Sequence, residues 1–179
     1  MISIIRVAML SICCFAVQYI SAQGKNPVKF GKVSVADFNI TSPAIDTSSN
    51  AVILADVGSS ILEGNNKGFF SLKYTHLRRV KIINKKGMDA ADVSISLYTS
   101  GDAEEKLDEC KAITYNLENG EVKQTKLESN GIFKEKLNKN TVVRKFTFHN
   151  VKEGSILEYT YTVISDFLTH LRPWEFQGT

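Results

Sequence analysis

Cysteine is scarce in this sequence of 179 residues, and its scarcity excludes a disulfide framework. Cys13 and Cys14 lie in an apolar N-terminal run, so a chain that loses this run keeps only Cys110 and cannot form an internal disulfide. A hydrophobic core must then hold the fold together. The remaining residues, 23–179, are numerous enough for one domain with such a core.

Metal-ligating and cofactor-binding patterns are also lacking. The histidines stand far apart, and none has a second His or Cys at ligand spacing; they are His76, His149 and His170. Three aspartates do not fit the D-x-D-x-D-G pattern of a calcium loop; they are Asp89, Asp92 and Asp102. Three glycines lack the spacing of a dinucleotide fingerprint; they are Gly58, Gly64 and Gly68. We therefore assign no metal ligand and no cofactor-binding residue, and we expect no cofactor.

No arrangement typical of nucleophilic catalysis is present, since that chemistry needs a thiol or hydroxyl beside an oriented base. Serines are plentiful, but the Gly-x-Ser-x-Gly elbow does not occur. Cys110 follows Asp108 and Glu109, whose negative charges would raise rather than lower the pKa of a thiol. We assign no catalytic residue and expect a chain that is not an enzyme. An activity through Cys110 is the weakest of the alternatives.

Charge of one sign is not in excess, because 22 Lys and Arg stand against 19 Asp and Glu, with a net charge of +3. Loss of residues 1–22 removes only Arg6 and lowers the net charge to +2. Nucleic-acid binding calls for a clustered basic face. The charge pattern therefore argues against a nucleic-acid partner.

The N-terminus has the three regions of a secretory signal peptide. Met1–Arg6 carries a positive charge, Val7–Val17 is apolar, and a more polar segment follows up to Ala22. The apolar run is shorter than the roughly 20 residues that span a bilayer. We expect cleavage near Ala22, export to the periplasm or the cell exterior, and no stable membrane span after cleavage.

Alternation with a period of two predicts strands along most of the mature chain. The segments 70–82 and 93–97 alternate on either side of Asn84–Gly87, which predicts a hairpin in which Gly87 supplies a positive φ. The segments 112–117 and 122–127 flank an Asn-Gly pair, which predicts a second hairpin.

The predicted fold is an all-β antiparallel sandwich or open barrel in one domain, residues 23–179. The segments 142–148 and 156–164 are dense in β-branched and aromatic residues and add further strands. Only Ala103–Cys110 indicates a short helix, because it has an acidic start and one main apolar residue.

Aromatic residues crowd the C-terminal part of the chain. Tyr159 and Tyr161 alternate within a predicted strand and are expected in the core. Trp174 and Phe176 lie where a terminus is normally polar, so we expect another strand or a further domain to cover them. They are the candidate partner-contact residues.

Four parts of the chain carry a family resemblance. They are Val35–Phe38 with Pro43–Asp46 and Ala51–Gly58, then Arg78–Asn84, then Phe146–Phe148 with Val151–Tyr159, and finally Pro173–Gln177. In this order and spacing they resemble the bacterial domain of unknown function 3857, which typically precedes a transglutaminase-like domain in exported proteins. The resemblance implies an immunoglobulin-like β-sandwich in the cell envelope, upstream of a papain-like module with a Cys, His and Asp centre.

The sequence stops at Thr179, before any such module, so no catalytic residue is carried over. We expect a fragment or truncated product of a longer protein. The favoured hypothesis is a non-catalytic accessory domain that contacts a downstream transglutaminase-like domain or another envelope protein. The alternative is a free-standing envelope module that binds a glycan or a peptide through exposed aromatics or a strand edge.

Overall fold

The computed structural model describes residues 28–40 and 48–173 of the chain. The described strands are β1 (Ala51–Gly64), β2 (Phe70–Ile82), β3 (Asp92–Ser100), β4 (Ala103–Glu104), β5 (Lys106–Glu118), β6 (Glu121–Lys126), β7 (Phe133–Asn138), β8 (Thr141–Thr147) and β9 (Ile156–Ser165). Three short 3-10 helices accompany them, at Val35–Asn39, Lys85–Ala91 and Ser129–Gly131. The predicted signal peptide, residues 1–22, lies outside the described residues.

The strands form two antiparallel sheets. One has five strands in the order β1-β2-β9-β5-β6, and the other has four in the order β4-β3-β8-β7. Alternating apolar residues of both sheets meet in one core, which confirms the predicted antiparallel sandwich. The buried members of this core are Ile82, Ala91, Val93, Ile95, Leu97, Ala112, Val142, Phe146, Phe148, Leu157 and Val163.

The hairpin predicted from the Asn-Gly pair is confirmed. Strands β5 and β6 pair up to Glu118 and Glu121, and the two residues between them have positive φ angles, 52° at Asn119 and 81° at Gly120. Two consecutive left-handed residues are what a two-residue type I′ turn requires, and Asn and Gly tolerate that conformation best.

The hairpin predicted for residues 70–97 is wrong. Strands β2 and β3 lie in different sheets, and the 3-10 helix Lys85–Ala91 carries the chain from one sheet to the other. Gly87 does not have a positive φ. It is buried beneath the start of β1, where a Cβ atom would lie 2.1 Å from the backbone oxygen of Asn50. Its absent side chain therefore permits close packing rather than a tight turn.

The short helix predicted at Ala103–Cys110 is also wrong, because this segment forms β4 and the start of β5. Leu107 pairs with Val163 of β9 and Cys110 pairs with Tyr161, with a register shift at the intervening Asp108. An isolated helix of eight residues is marginal in water. Long-range pairing that places Leu107 and Cys110 against the core therefore outweighs the local preference.

Residues 28–40 cover the other face of the five-stranded sheet. The apolar residues Phe30, Val33 and Phe38 pack on a second buried cluster that includes Tyr115 and Ile156. This cover buries residues on β2 that the alternation places on its polar face. One is Lys81, whose ammonium donates hydrogen bonds to the backbone oxygens of Phe38 and Ile40, and whose pKa burial lowers.

A buried ion pair holds residues 28–40 against the five-stranded sheet. The Glu158 side chain is fully buried and accepts hydrogen bonds from Arg79 Nη2 at 2.6 Å and from the Tyr115 hydroxyl at 2.8 Å. It also accepts from the backbone N–H of Gly31 at 2.8 Å, while Arg79 donates to the backbone oxygen of Lys32 at 3.0 Å. Three groups far apart in sequence, from Gly31, Arg79 and Tyr115, thus converge on one carboxylate.

Candidate functional site

The loop end of the β1–β2 hairpin exposes large apolar side chains. Leu62, Phe69 and Phe70 are 62%, 72% and 59% exposed, and Ile61 is also exposed. We call residues 61–70 the hairpin tip. Clusters of large apolar side chains on a folded surface generally mark contacts with another protein or domain.

The hairpin tip is joined to the segment that follows β9. Asp166 accepts a hydrogen bond from Lys67 at 2.9 Å and one from the Ser71 hydroxyl at 2.6 Å. The hydrogen bond from Ser71 is the largest single cause that holds the pKa of Asp166 below its usual value, and the hydrogen bond from Lys67 acts in the same direction. Leu168 and Leu171 are exposed on the same segment. We call the hairpin tip together with these two leucines the apolar end of the domain.

A second surface feature is a polar cleft of about 310 Å³ between the two sheets, beside β3. Its charged and aromatic lining residues are Asp56, Tyr74, His76, Arg78, Tyr159, Tyr161 and Arg172. We call it the aromatic cleft. These residues are inner-face residues of β1, β2 and β9, except for Arg172, which comes from the segment after β9. His76 and Arg78 are polar residues on the otherwise apolar inner face of β2, and both contact Asp56.

Ring contacts and burial define the cleft further. His76 lies edge-on to Tyr161 at 5.3 Å between ring centroids, and Tyr161 stacks on Tyr159 at 6.3 Å. Burial raises the pKa of Tyr74, Tyr159 and Tyr161, so these hydroxyls stay protonated and can donate hydrogen bonds at neutral pH. Tyr159 and Tyr161 also pack on the core, as predicted.

The contact between His76 and Asp56 is half of a catalytic arrangement. Nε2 of His76 lies 2.5 Å from an Asp56 carboxylate oxygen, which is how a carboxylate orients a base. The thiol that could complete it is remote, because Cys110 pairs with Tyr161 and Tyr161 pairs with His76. Two strand spacings, roughly 10 Å, therefore separate the backbones of Cys110 and His76. Cys110 and His76 therefore do not form a Cys–His pair.

Cys110 is itself in the wrong state for nucleophilic attack. Burial raises the pKa of its thiol from 9.0 to about 11, so the thiolate is a small minority at neutral pH. The direction agrees with the sequence-based prediction, but the cause is burial against the core and not the neighbouring acidic residues.

We expect Cys110 to react with iodoacetamide at pH 8 about 100-fold more slowly in the folded chain than in urea, since its pKa is two units higher. The folded-state rate should keep rising with pH up to about 11. Mass spectrometry of quenched time points measures both rates. Rapid alkylation of the folded chain at neutral pH would contradict the buried thiol and favour an activity through Cys110.

Within residues 28–40 and 48–173, no three His, Cys, Asp or Glu side chains converge as metal ligands would. The same residues contain no helix that is long and apolar enough to cross a membrane. His170 stacks on Tyr98 with 4.0 Å between ring centroids.

The two partner-contact residues predicted from the sequence, Trp174 and Phe176, lie outside the described residues. Sequence reasoning missed both surface features described above. The exposed Phe69–Phe70 pair next to a glycine-rich loop was a signal for the hairpin tip. The aromatic cleft had no comparable local signal, because its residues come from four strands and a later segment.

Comparisons with known proteins add little. No family model matches the chain, and no curated protein matches it. A solved structure from Parabacteroides distasonis, described as a "putative protease", is similar with a TM-score of 0.47 and 12% sequence identity. The match covers 65% of this chain and 23% of that protein. A likeness of this degree carries no argument about function.

Proposed function

We propose that this chain is a non-catalytic accessory domain of an exported cell-envelope protein and that its apolar end packs against a transglutaminase-like domain. The observation that carries the proposal is the apolar end itself. Burying one large apolar side chain contributes roughly 1.5–3 kcal/mol. The three most exposed apolar members of the hairpin tip, Leu62, Phe69 and Phe70, are therefore a substantial source of binding energy for a partner.

The position of the apolar end supports a partner domain that comes after this domain in the sequence. Asp166 fastens the hairpin tip to the segment that leads away from β9, through Lys67 and Ser71. A domain joined after this segment would meet the exposed Leu168 and the hairpin tip first. The resemblance to the domain of unknown function 3857 supplies the class of that partner, and the signal-like N-terminus supplies the compartment.

Site-specific crosslinking in the cells from which the protein comes tests this function. A photoreactive benzoylphenylalanine replaces Phe70 in one variant and Phe133 in the control, because Phe133 is similarly exposed at 68% but lies on β7 of the other sheet. We expect crosslinked peptides from position 70 to belong to a transglutaminase-like domain and position 133 to give few. Equal crosslinking at both positions, or none at position 70, would refute the proposal.

The intact mass of the isolated native protein then locates the partner. A mass well above that of residues 23–179 places the transglutaminase-like domain in the same polypeptide. A mass that matches residues 23–179 places it in a separate chain.

A further inference from the structure

The aromatic cleft adjoins a second, larger cavity along strand β3. This cavity has a volume of about 780 Å³ and lies between β3, the start of β1 and the 3-10 helix Lys85–Ala91. Arg78, Ser94 and Tyr159 line both cavities, and we call the two cavities together the β3 groove. Sites for small molecules have volumes of about 300–1,000 Å³, so the β3 groove has room for an extended ligand of more than one ring.

The edge of β3 at this groove offers few backbone groups to an added strand. Other groups of the domain already bind the N–H of Tyr98, the C=O of Ser96 and the N–H of Asp92. Because the backbone groups of successive residues point to alternate edges, at most those of Ser94 and the N–H of Ser96 remain for pairing. The side chains of the groove, rather than a row of main-chain hydrogen bonds, are therefore what a ligand meets.

The charges that line the β3 groove balance one another. Its basic residues are Arg78, Lys86 and Arg172, and its acidic residues are Asp56, Asp89 and Asp92. Arg172 also bonds to the Glu105 carboxylate at 2.7 Å. Asp56 lies 2.5 Å from His76 and 3.7 Å from Arg78. A charged ligand would have to compete with these largely buried pairs, and separating such a pair costs free energy. The lining therefore favours an uncharged ligand.

Hydroxyl groups and aromatic rings are what the aromatic cleft offers to such a ligand. The hydroxyl groups come from Tyr74, Ser94, Ser96, Tyr159 and Tyr161, and each can both donate and accept a hydrogen bond. The Asp56 carboxylate, which only accepts, lies beside the Arg78 guanidinium, which only donates. Two neighbouring hydroxyls of a sugar ring match this pair, since one donates to the carboxylate while the other accepts from the guanidinium. The tyrosine rings give the C–H groups of the same sugar an apolar surface.

We propose that the β3 groove binds a neutral oligosaccharide. One sugar ring lies in the aromatic cleft against Tyr159 and Tyr161, with two of its hydroxyls on Asp56 and Arg78. The adjoining sugar lies in the larger cavity. None of these residues belongs to the apolar end, so the site does not depend on the proposed partner domain.

NMR titration of the purified, isotope-labelled chain tests the proposal on the unmodified protein. The probes are neutral disaccharides of the common hexoses and N-acetylhexosamines, and the controls are a glucuronic-acid disaccharide and an uncharged peptide of serine and glycine. We expect at least one neutral disaccharide to bind with a Kd of about 1 mM or below. It should shift the amide signals of Ser94 and Ser96 and leave those of the hairpin tip unchanged. The proposal is overturned if no neutral disaccharide shifts these signals, if the hairpin tip responds instead, or if either control binds as tightly.

Removal of one hydroxyl locates the sugar. Tyr159→Phe keeps the ring but removes a hydroxyl that lines both cavities. We expect the Kd of the best disaccharide to rise about five- to tenfold, because a hydrogen bond to the sugar is lost. Tyr98→Phe is the matched control and should leave the Kd unchanged, since Tyr98 lies on β3 but does not line the groove. An unchanged Kd for Tyr159→Phe would overturn the proposal. Thermal unfolding shows whether both variants are folded, and the titration of the unmodified chain decides if Tyr159→Phe is not.

Discussion

Glu158→Ala is expected to lower the free energy of unfolding by about 3–5 kcal/mol, because it leaves the buried guanidinium of Arg79 without its carboxylate. The Tyr115 hydroxyl and the Gly31 N–H lose an acceptor in the same step. Since a domain of this size is stable by only about 5–15 kcal/mol, the change is a large fraction of the total. Urea unfolding followed by circular dichroism measures it, and the melting temperature should fall by about 10 °C.

Two further variants distinguish the effect of an unpaired buried charge on the free energy of unfolding from the effect of lost side-chain packing. Glu135→Gln removes the carboxylate of the exposed pair with Lys145 and should change the free energy of unfolding by less than about 1 kcal/mol. The double variant Arg79→Leu with Glu158→Leu should be more stable than Glu158→Ala, since no charge is left unpaired. If Glu158→Ala and Glu135→Gln had equal effects, the ion pair would not be holding residues 28–40 in place.

The alternation of apolar residues was enough to predict the sandwich, but it could not reveal the cover on its outer face. It places Arg79 and Lys81 on the polar side of β2, which normally faces water. Both are buried, because residues 28–40 lie across that side and supply backbone oxygens to them. The sequence did contain a signal, since Glu158 interrupts a strand of β-branched and aromatic residues. Its partner Arg79 is 79 positions away, and no local pattern pairs them.

The hairpin tip and the aromatic cleft also differ in how far a local sequence pattern can predict them. The hairpin tip is local, so its exposed phenylalanines follow from the sequence once β1 and β2 are known to pair. The aromatic cleft depends on strand order, because His76 meets Tyr161 only when β9 inserts between β2 and β5. Strand order depends on how both faces of each sheet are buried. The predicted hairpin joined β2 to β3, which is the wrong strand order, and for this reason the cleft was missed as well.

Gly87→Ala is the second change that we expect to be strongly destabilising, by roughly 2–4 kcal/mol. The added Cβ would lie 2.1 Å from the backbone oxygen of Asn50 and 2.7 Å from its carbonyl carbon, so backbone has to move. That oxygen accepts the N–H groups of Ile83 and Asn84, and these bonds tie the start of β1 to the end of β2. Displacing it weakens the contact between β1 and the 3-10 helix that joins the two sheets.

Gly64→Ala is the matched control, because Gly64 has no atom within 4 Å of an added Cβ and does not have a positive φ. It should change the free energy of unfolding by less than about 0.5 kcal/mol. Thermal and urea unfolding of both variants beside the unmodified chain measure the difference. If Gly87 formed a tight turn with a positive φ, as the sequence alone predicts, Gly87→Asn would be more stable than Gly87→Ala, since Asn tolerates that conformation. Close packing predicts that Gly87→Asn is at least as destabilising as Gly87→Ala, because its larger side chain meets the same backbone.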